Sequence, residues 1–282
     1  MTVFDLASEI QKQSARVEMT PNGDRSRQVT IVGGKGRMGR FFAKQLATAG
    51  HRVEILGRRD WEKAEQLLGE AELVLISVPI EQTSAIIEQS CKYLASTAAI
   101  ADLTSVKAEP VAKMLACHSG AVMGLHPMFG PNRDSFDAQK IAVCSGRDDD
   151  AFQWLVDLMS DRGGNLIFCS PEEHDRLMAI VQAVRHFSQF GFGLFLGSEE
   201  VDLERSLSIA SPNYRQEYEA VERFFQQNPT MYVDIMLATE TSRQTIASLA
   251  KIYQKLADLV AKGDRDSLID IFISNQKSLE KP

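Results

Sequence analysis

The run GLHPMFGP, residues 124–131, sets one imidazole, His126, among glycine, proline and apolar side chains. A histidine so placed is a satisfied core group, a metal ligand or a proton acceptor, and an unperturbed pKa near neutrality suits the last role. Two arginines, Arg215 and Arg223 in NYRQEYEAVERFF, are eight residues apart, so both can face one side of a helix. Val221, Phe224 and Phe225 beside them mark that helix as partly buried, where an unpaired guanidinium is costly. Either each arginine pairs with a nearby acid such as Glu217 or Glu219, or one holds a carboxylate of the substrate. Lys107, in DLTSVK, is an electrostatic contact for a ligand or a solvated side chain, and Ser105 in the same run fits a helix N-cap.

These groups need a scaffold. From Gln28 the chain alternates short apolar runs with helical stretches: VTIVG (29–33), RVEIL (52–56), ELVLISV (72–78), AAIADL (98–103) and AVMGL (121–125), with KIAVCS (140–145) and NLIFCS (165–170) extending the series. Near-continuous β-branched runs bounded by helices indicate a parallel sheet buried on both faces. After Ser170 the strands stop and apolar residues recur at helical spacing, as at Leu177, Ile180, Val181, Val184 and Phe187. The expected architecture is an α/β Rossmann-like doubly wound sheet over residues 28–170, followed by an all-α domain over 171–282. Residues 1–27 read as an extension with one short amphipathic segment and a turn-rich linker.

VTIVGGKGRMGRFF carries GxGxxG as Gly34, Gly36 and Gly39, directly after a strand and opening a helix. In that context the pattern is a dinucleotide loop. Gly34 would permit the tight turn, Gly36 the approach of a pyrophosphate, and Gly39 close helix–strand packing, with Arg37 and Met38 beside the bound phosphates. Ser77, Val78 and Pro79 end the next strand on the edge that faces such a ligand. An NAD site usually has an acid at the end of the second strand, about twenty residues past the loop. Here Gly57 stands there, followed by Arg58 and Arg59, whose guanidiniums suit the 2′-phosphate of NADP. In the other reading the arginines are solvated and Asp60 serves the ribose. NADP is favoured over NAD on the first reading.

A net charge of −7 argues against a nucleic-acid surface, and no apolar stretch is free enough of polar groups to span a membrane. Residues 177–197 come nearest, interrupted by Gln182, Arg185, His186 and Gln189. The N-terminal residues carry acids and lack an apolar core, so no signal peptide is expected, and the chain reads as cytoplasmic. Cys91, Cys117, Cys144 and Cys169 show no metal spacing and read as reduced thiols; no metal is expected. His51, opening the second strand, reads as a surface residue.

Taken together, VGGKGRMG, RDW, SVPI, DLTSVK, GLHPMFGP, EEHD, RHF and SPNYRQEYEAVERFF, in that order, resemble the prephenate dehydrogenase family. The likeness is greatest to the dehydrogenase half of the bifunctional chorismate mutase–prephenate dehydrogenases, and covers roughly residues 28–280. Residues 1–27 are too short for the mutase domain, so mutase activity is not expected, and family members carry an acid where this chain has Gly57. The resemblance implies oxidative decarboxylation of a cyclohexadienol, with prephenate as substrate or arogenate as the alternative. It implies that His126 takes the proton of the 4-hydroxyl, that Ser105 orients His126 or bonds the same oxygen, and that Arg223 clamps a substrate carboxylate, with Arg215 supporting. His118, His174 and His186 match family histidines. His186, sharing a helix with Gln182 and Arg185, has the best case for touching substrate, and His174 reads as structural or as a support to the site. A homodimer through the helical domain is expected. A β-hydroxyacid dehydrogenase would want a catalytic lysine in the helical domain, yet none occurs between Lys140 and Lys251. A non-enzymatic dinucleotide sensor would bind cofactor without turnover.

Overall fold

The computed structural model describes residues 25–130, 132–198 and 202–280. The amphipathic N-terminal segment, most of the linker after it and Pro131 of GLHPMFGP lie outside the described residues.

Seven strands form one sheet: β1 (Gln28–Val32), β2 (Arg52–Leu56), β3 (Leu73–Ile76), β4 (Ala99–Asp102), β5 (Val122–Pro127), β6 (Lys140–Arg147) and β7 (Asn165–Cys169). Their order across the sheet is β2-β1-β3-β4-β5-β6-β7. The first five are mutually parallel. Helices α1 (Arg37–Thr48), α2 (Ala64–Gly69), α3 (Ile80–Cys91) and α4 (Ala108–Cys117) make the crossovers, and α5 (Gln153–Asp161) joins β6 to β7.

The period-two alternation of the strands divides the core in two. Val29, Ile31, Leu73, Leu75 and Ala101 pack with Phe41, Phe42 and Leu46 of α1 and Leu155 and Met159 of α5. Val32, Val74, Ile76 and Ile100 pack with Leu68 of α2, Ile87 of α3 and Val111 and Met114 of α4. The strands are apolar nearly throughout because helices cover both faces. The winding reverses between β1 and β3, and at such a switch point an open α/β sheet leaves a crevice at the carboxyl ends of its strands.

Three expectations need correction here. The sheet is not wholly parallel: β6 runs antiparallel to β5, with His126 opposite Ala142, and β7 then pairs parallel to β6. As the edge strand, β7 is not buried on both faces, and Phe168 is 66% exposed. His51 is a buried residue rather than a surface one, because its ring packs edge-on against Trp154 and its Nδ1 accepts the Arg27 backbone N–H at 3.3 Å. The four cysteines are not all free thiols: Cys91 and Cys117, at the carboxyl ends of α3 and α4, are joined as a disulfide with Cα atoms 5.9 Å apart. A separation of 26 residues hid that pairing, which arises because the two helices pack side by side.

The chain divides into two compact units, the first ending at His174 and the second beginning at Asp175. The division falls within α6 (Pro171–Met178), which is followed by a π-helical segment, Ala179–Val184, and by α7 (Arg185–Ser198). The second unit continues through α8 (Leu203–Ser208), α9 (Pro212–Phe225), α10 (Pro229–Leu237), α11 (Glu240–Lys262) and α12 (Arg265–Leu279). The side chains of Ser211, Asn228, Thr239 and Asp264 cap the amino ends of α9 to α12, which explains why each begins where it does. No helix among the described residues is long and apolar enough to cross a membrane.

Candidate active site

The glycine turn joins β1 to α1. Gly33, not Gly34, takes the left-handed conformation, at φ +82°, and a Cβ there would stand 2.3 Å from the Ser77 carbonyl oxygen. The turn glycine is thus one residue earlier than the GxGxxG pattern implies, and SVPI matters because its backbone seals the turn. Gly34 serves the packing of β2 instead, since a Cβ there would lie 3.0 Å from Ile55 carbons. Gly39 lies close under the turn, where a Cβ would stand 2.6 Å from the Gly34 Cα. Gly36 caps α1 with no side-chain hydrogen bond and no acid in the first helical turn. The amides at that helix end, with the positive end of the dipole behind them, fit a pyrophosphate. Arg37 is exposed, whereas Met38 packs partly against the core of its own face. Ser77 and Val78 are half-buried at the end of β3, and exposed Pro79 is the N-cap of α3.

At the end of β2 the exposed Arg58 and Arg59 precede a half-buried carboxylate, that of Asp60. Asp60 Oδ2 accepts from Lys35 Nζ at 2.7 Å and from the Gly57 N–H at 3.2 Å. The Lys35 ammonium holds the Asp60 carboxyl below its ordinary pKa.

Every residue of β5 is buried, and the strand carries His126 near its carboxyl end, 3% exposed. Its Nδ1 lies 2.9 Å from Nε2 of His174, which is 1% exposed. Two imidazoles at this distance share one proton in a single hydrogen bond, so at most one ring nitrogen of that contact is protonated while both rings are neutral. Burial, followed by the neighbouring His174 and Lys107, pushes the His126 pKa well below its ordinary value. With Nδ1 committed to His174, Nε2 is the ring nitrogen that would carry any acid–base chemistry.

Lys107 is not solvated: its side chain is fully buried, its ammonium paired with the equally buried Asp102 carboxylate. Lys107 Nζ also donates to the Leu125 carbonyl at 2.8 Å, directly beside His126. The same Asp102 oxygen takes the Thr104 hydroxyl and, at 3.0 Å, the Thr104 N–H. DLTSVK is therefore a buried ionic clamp on the backbone that carries His126. Ser105 is half-buried on that turn, and α4 has Lys107 rather than Ser105 at its N-cap. His118 is a satisfied core group, its Nε2 2.7 Å from the Ala98 carbonyl oxygen.

In the second unit the π-helical segment holds half-buried Gln182, and such segments often mark functional positions. One turn further on, His186 is buried with its ring edge-on to Tyr232 at 4.4 Å. Burial, with the Arg185 charge adding to it, lowers its pKa to about 4, so the ring is neutral at physiological pH. Helix α9 is less buried around its arginines than the sequence implies, and of its apolar residues only Val221 is buried. Arg223, 65% exposed, pairs with Glu219 at 3.7 Å, and Arg215 donates to the Leu207 carbonyl at 2.6 Å. An exposed pair of that kind is weak and readily exchanged for a ligand.

Sequence reasoning weighed His174 as a support to the site without identifying its partner. EEHD carried no sign of it, because the contact joins residues 48 apart. Lys35 was missed altogether as the x of the glycine motif.

A doubly wound sheet with a glycine turn at its switch point and a buried imidazole pair at the carboxyl end of β5 fits a nicotinamide-dinucleotide-dependent oxidoreductase. Models of the prephenate dehydrogenase nucleotide-binding and dimerization domains match residues 43–168 and 170–274. The chain belongs to the prephenate dehydrogenase family. It is 39% identical over 279 residues to the T-protein of Enterobacter agglomerans, covering 95% of this chain and 74% of that one. Against the T-protein of Haemophilus influenzae it is 39% identical over 245 residues, covering 87% of this chain and 65% of that one. The crystal structure of prephenate dehydrogenase from Aquifex aeolicus, in complex with hydroxyphenyl propionate and NAD+, shares the fold at 20% identity and a TM-score of 0.68, covering 91% and 98% of the two chains. Synechocystis arogenate dehydrogenase shares it at 18% identity and 0.66, covering 90% and 99%.

Proposed function

We propose that this protein oxidatively decarboxylates prephenate to 4-hydroxyphenylpyruvate with reduction of NAD(P), as a cytoplasmic homodimer in tyrosine biosynthesis. The observation that carries the reading is the buried His126, oriented through Nδ1 by His174 and held at the carboxyl end of β5. The bound nicotinamide supplies the acceptor for the hydride from the ring carbon that bears the 4-hydroxyl. His126 Nε2 takes the proton of that hydroxyl as the carbon–oxygen double bond forms. The bond to the ring carboxylate then breaks, CO2 leaves, and its electron pair completes the aromatic ring. The proton on His126 returns to the phenolic oxygen, so the step balances. Aromatisation drives the reaction, and the protein's task is orientation and one proton transfer. Ser105 is the candidate to share the 4-hydroxyl. Arg223 is the candidate for a substrate carboxylate, and Arg215, His186 and Gln182 are further candidates for binding substrate.

Assays of NAD and NADP reduction, each with prephenate and with arogenate, test this reading. Turnover with prephenate supports it, turnover with arogenate alone moves the assignment to that substrate, and nucleotide binding without turnover on either overturns it. Arg223→Ala should raise KM for the ring substrate roughly tenfold to a hundredfold, as expected for a lost charge-assisted hydrogen bond, with nucleotide affinity nearly unchanged. An unchanged KM would remove Arg223 from the site. The homodimer is supported by the apolar surface of the second unit, where Leu194, Phe195, Val260 and Phe272 are each more than half exposed. Sedimentation showing a monomer at micromolar concentration would overturn it.

A further inference from the structure

The chain lacks an acid at the position following β2, yet a carboxylate stands there. Leu56 ends β2 beside Val32 of β1, and the Gly33 N–H donates to the Leu56 carbonyl at 2.9 Å, so residue 57 adjoins the glycine turn. Asp60 is the N-cap of the short 3-10 turn Trp61–Lys63, but its side chain makes no capping bond. It folds back over Gly57 and meets Lys35, the residue between Gly34 and Gly36 of the nucleotide loop. A Cβ on residue 57 would lie 2.5 Å from Asp60 Oδ2, so any other side chain would expel the carboxylate. The glycine that removes the usual acid is therefore the residue that makes room for another. Both hydrogen bonds fall on Oδ2, which leaves Oδ1 for a ligand hydroxyl, and the Asp60 side chain is 26% exposed.

We infer that Asp60, held by Lys35 across Gly57, is the group that reads the adenosine ribose and makes NAD the preferred cofactor. The inference rests on the dinucleotide reading of the glycine loop. A 2′-phosphate at this point would bring a second anion against the carboxylate, with the nearest ammonium already engaged. Arg58 and Arg59 are exposed and make no ion pair with a described residue, as solvated side chains do.

The test is equilibrium binding of NAD and NADP to the substrate-free protein, followed by calorimetry. Wild type should bind NAD more tightly than NADP. Asp60→Asn should weaken NAD about tenfold or more and narrow or invert the preference, since the ribose loses a charge-assisted acceptor. Gly57→Ala, which displaces the carboxylate without removing its charge, should shift the preference the same way. The double variant Arg58→Ser, Arg59→Ser should leave NAD affinity unchanged. If Asp60→Asn and Gly57→Ala both bind NAD as wild type does, or if wild type prefers NADP and loses that preference with the two arginines, the inference is overturned. If wild type binds neither nucleotide, the dinucleotide reading falls, and this one with it.

Discussion

Replacing His126 with asparagine should lower kcat by about three orders of magnitude, within the range for loss of a positioned general base, while the dissociation constant for NAD(P) stays nearly unchanged. Asparagine can still meet His174 through its amide, at the place where His126 Nδ1 lies 2.9 Å from His174 Nε2, so the strand and its neighbour keep their contact. What is lost is the second ring nitrogen. The pH profile adds a signature of its own. His126 works as a base only when neutral, and burial with its neighbours His174 and Lys107 holds its pKa well below the ordinary 6.5. The rate should therefore hold as pH falls through 6.5 and decline only on the acid side of it. A kcat limb at or above that value, or an asparagine variant with near-normal kcat, would show that another group takes the proton.

The second large effect concerns stability. Lys107→Ala should destabilise the protein by about 3–5 kcal/mol, because it leaves the buried Asp102 carboxylate with its countercharge removed. For a chain of this size that is roughly a 10 °C fall in Tm. The double variant Asp102→Asn, Lys107→Met should recover most of the loss, since a neutral pair of similar volume carries no desolvated charge. Failure of the double variant to recover would mean that Lys107 stabilises through its packing along Gly124, whose missing Cβ would lie 2.9 Å from Lys107 Cδ, rather than through its charge. Activity in the Lys107 variants should fall with stability, because the same ammonium holds the Leu125 carbonyl next to His126, the proposed proton acceptor.

Much of the molecule was legible in the sequence, because its signals are local. The seven apolar runs announced the strands, GGKGRMG announced a turn opening a helix, and the change of period after Ser170 announced the helical unit. What could not be read was pairing over distance. The antiparallel direction of β6 depends on hydrogen bonds to β5, not on its composition, and KIAVCS reads the same in either direction. Lys107 reads in the sequence as a ligand contact or a solvated side chain, and neither reading names Asp102, five residues before it, as its buried partner. The DLTSVK run holds both halves of that ion pair, but a strand end followed by a turn gave no reason to point both inward. Likewise Gly57, Asp60 and Lys35 are ordinary residues one by one, and only the fold-back at the end of β2 makes them a unit.

The reversal at β6 has one more consequence. Gly124, Cys144 and Cys169 form one row across β5, β6 and β7, so β7, running against β5, passes the row of His126 at Ile167 and ends two residues beyond it. From Cys169 it is five residues to His174, and the helix that begins at Pro171 carries that imidazole to its partner. The stretch between β7 and His174 is thus a ruler whose length fixes the phase of a helix against a strand. One residue added to it would turn His174 by about 100° and carry it off His126, although no residue of the pair had changed. Such an insertion should cost activity much as a substitution of His174 would.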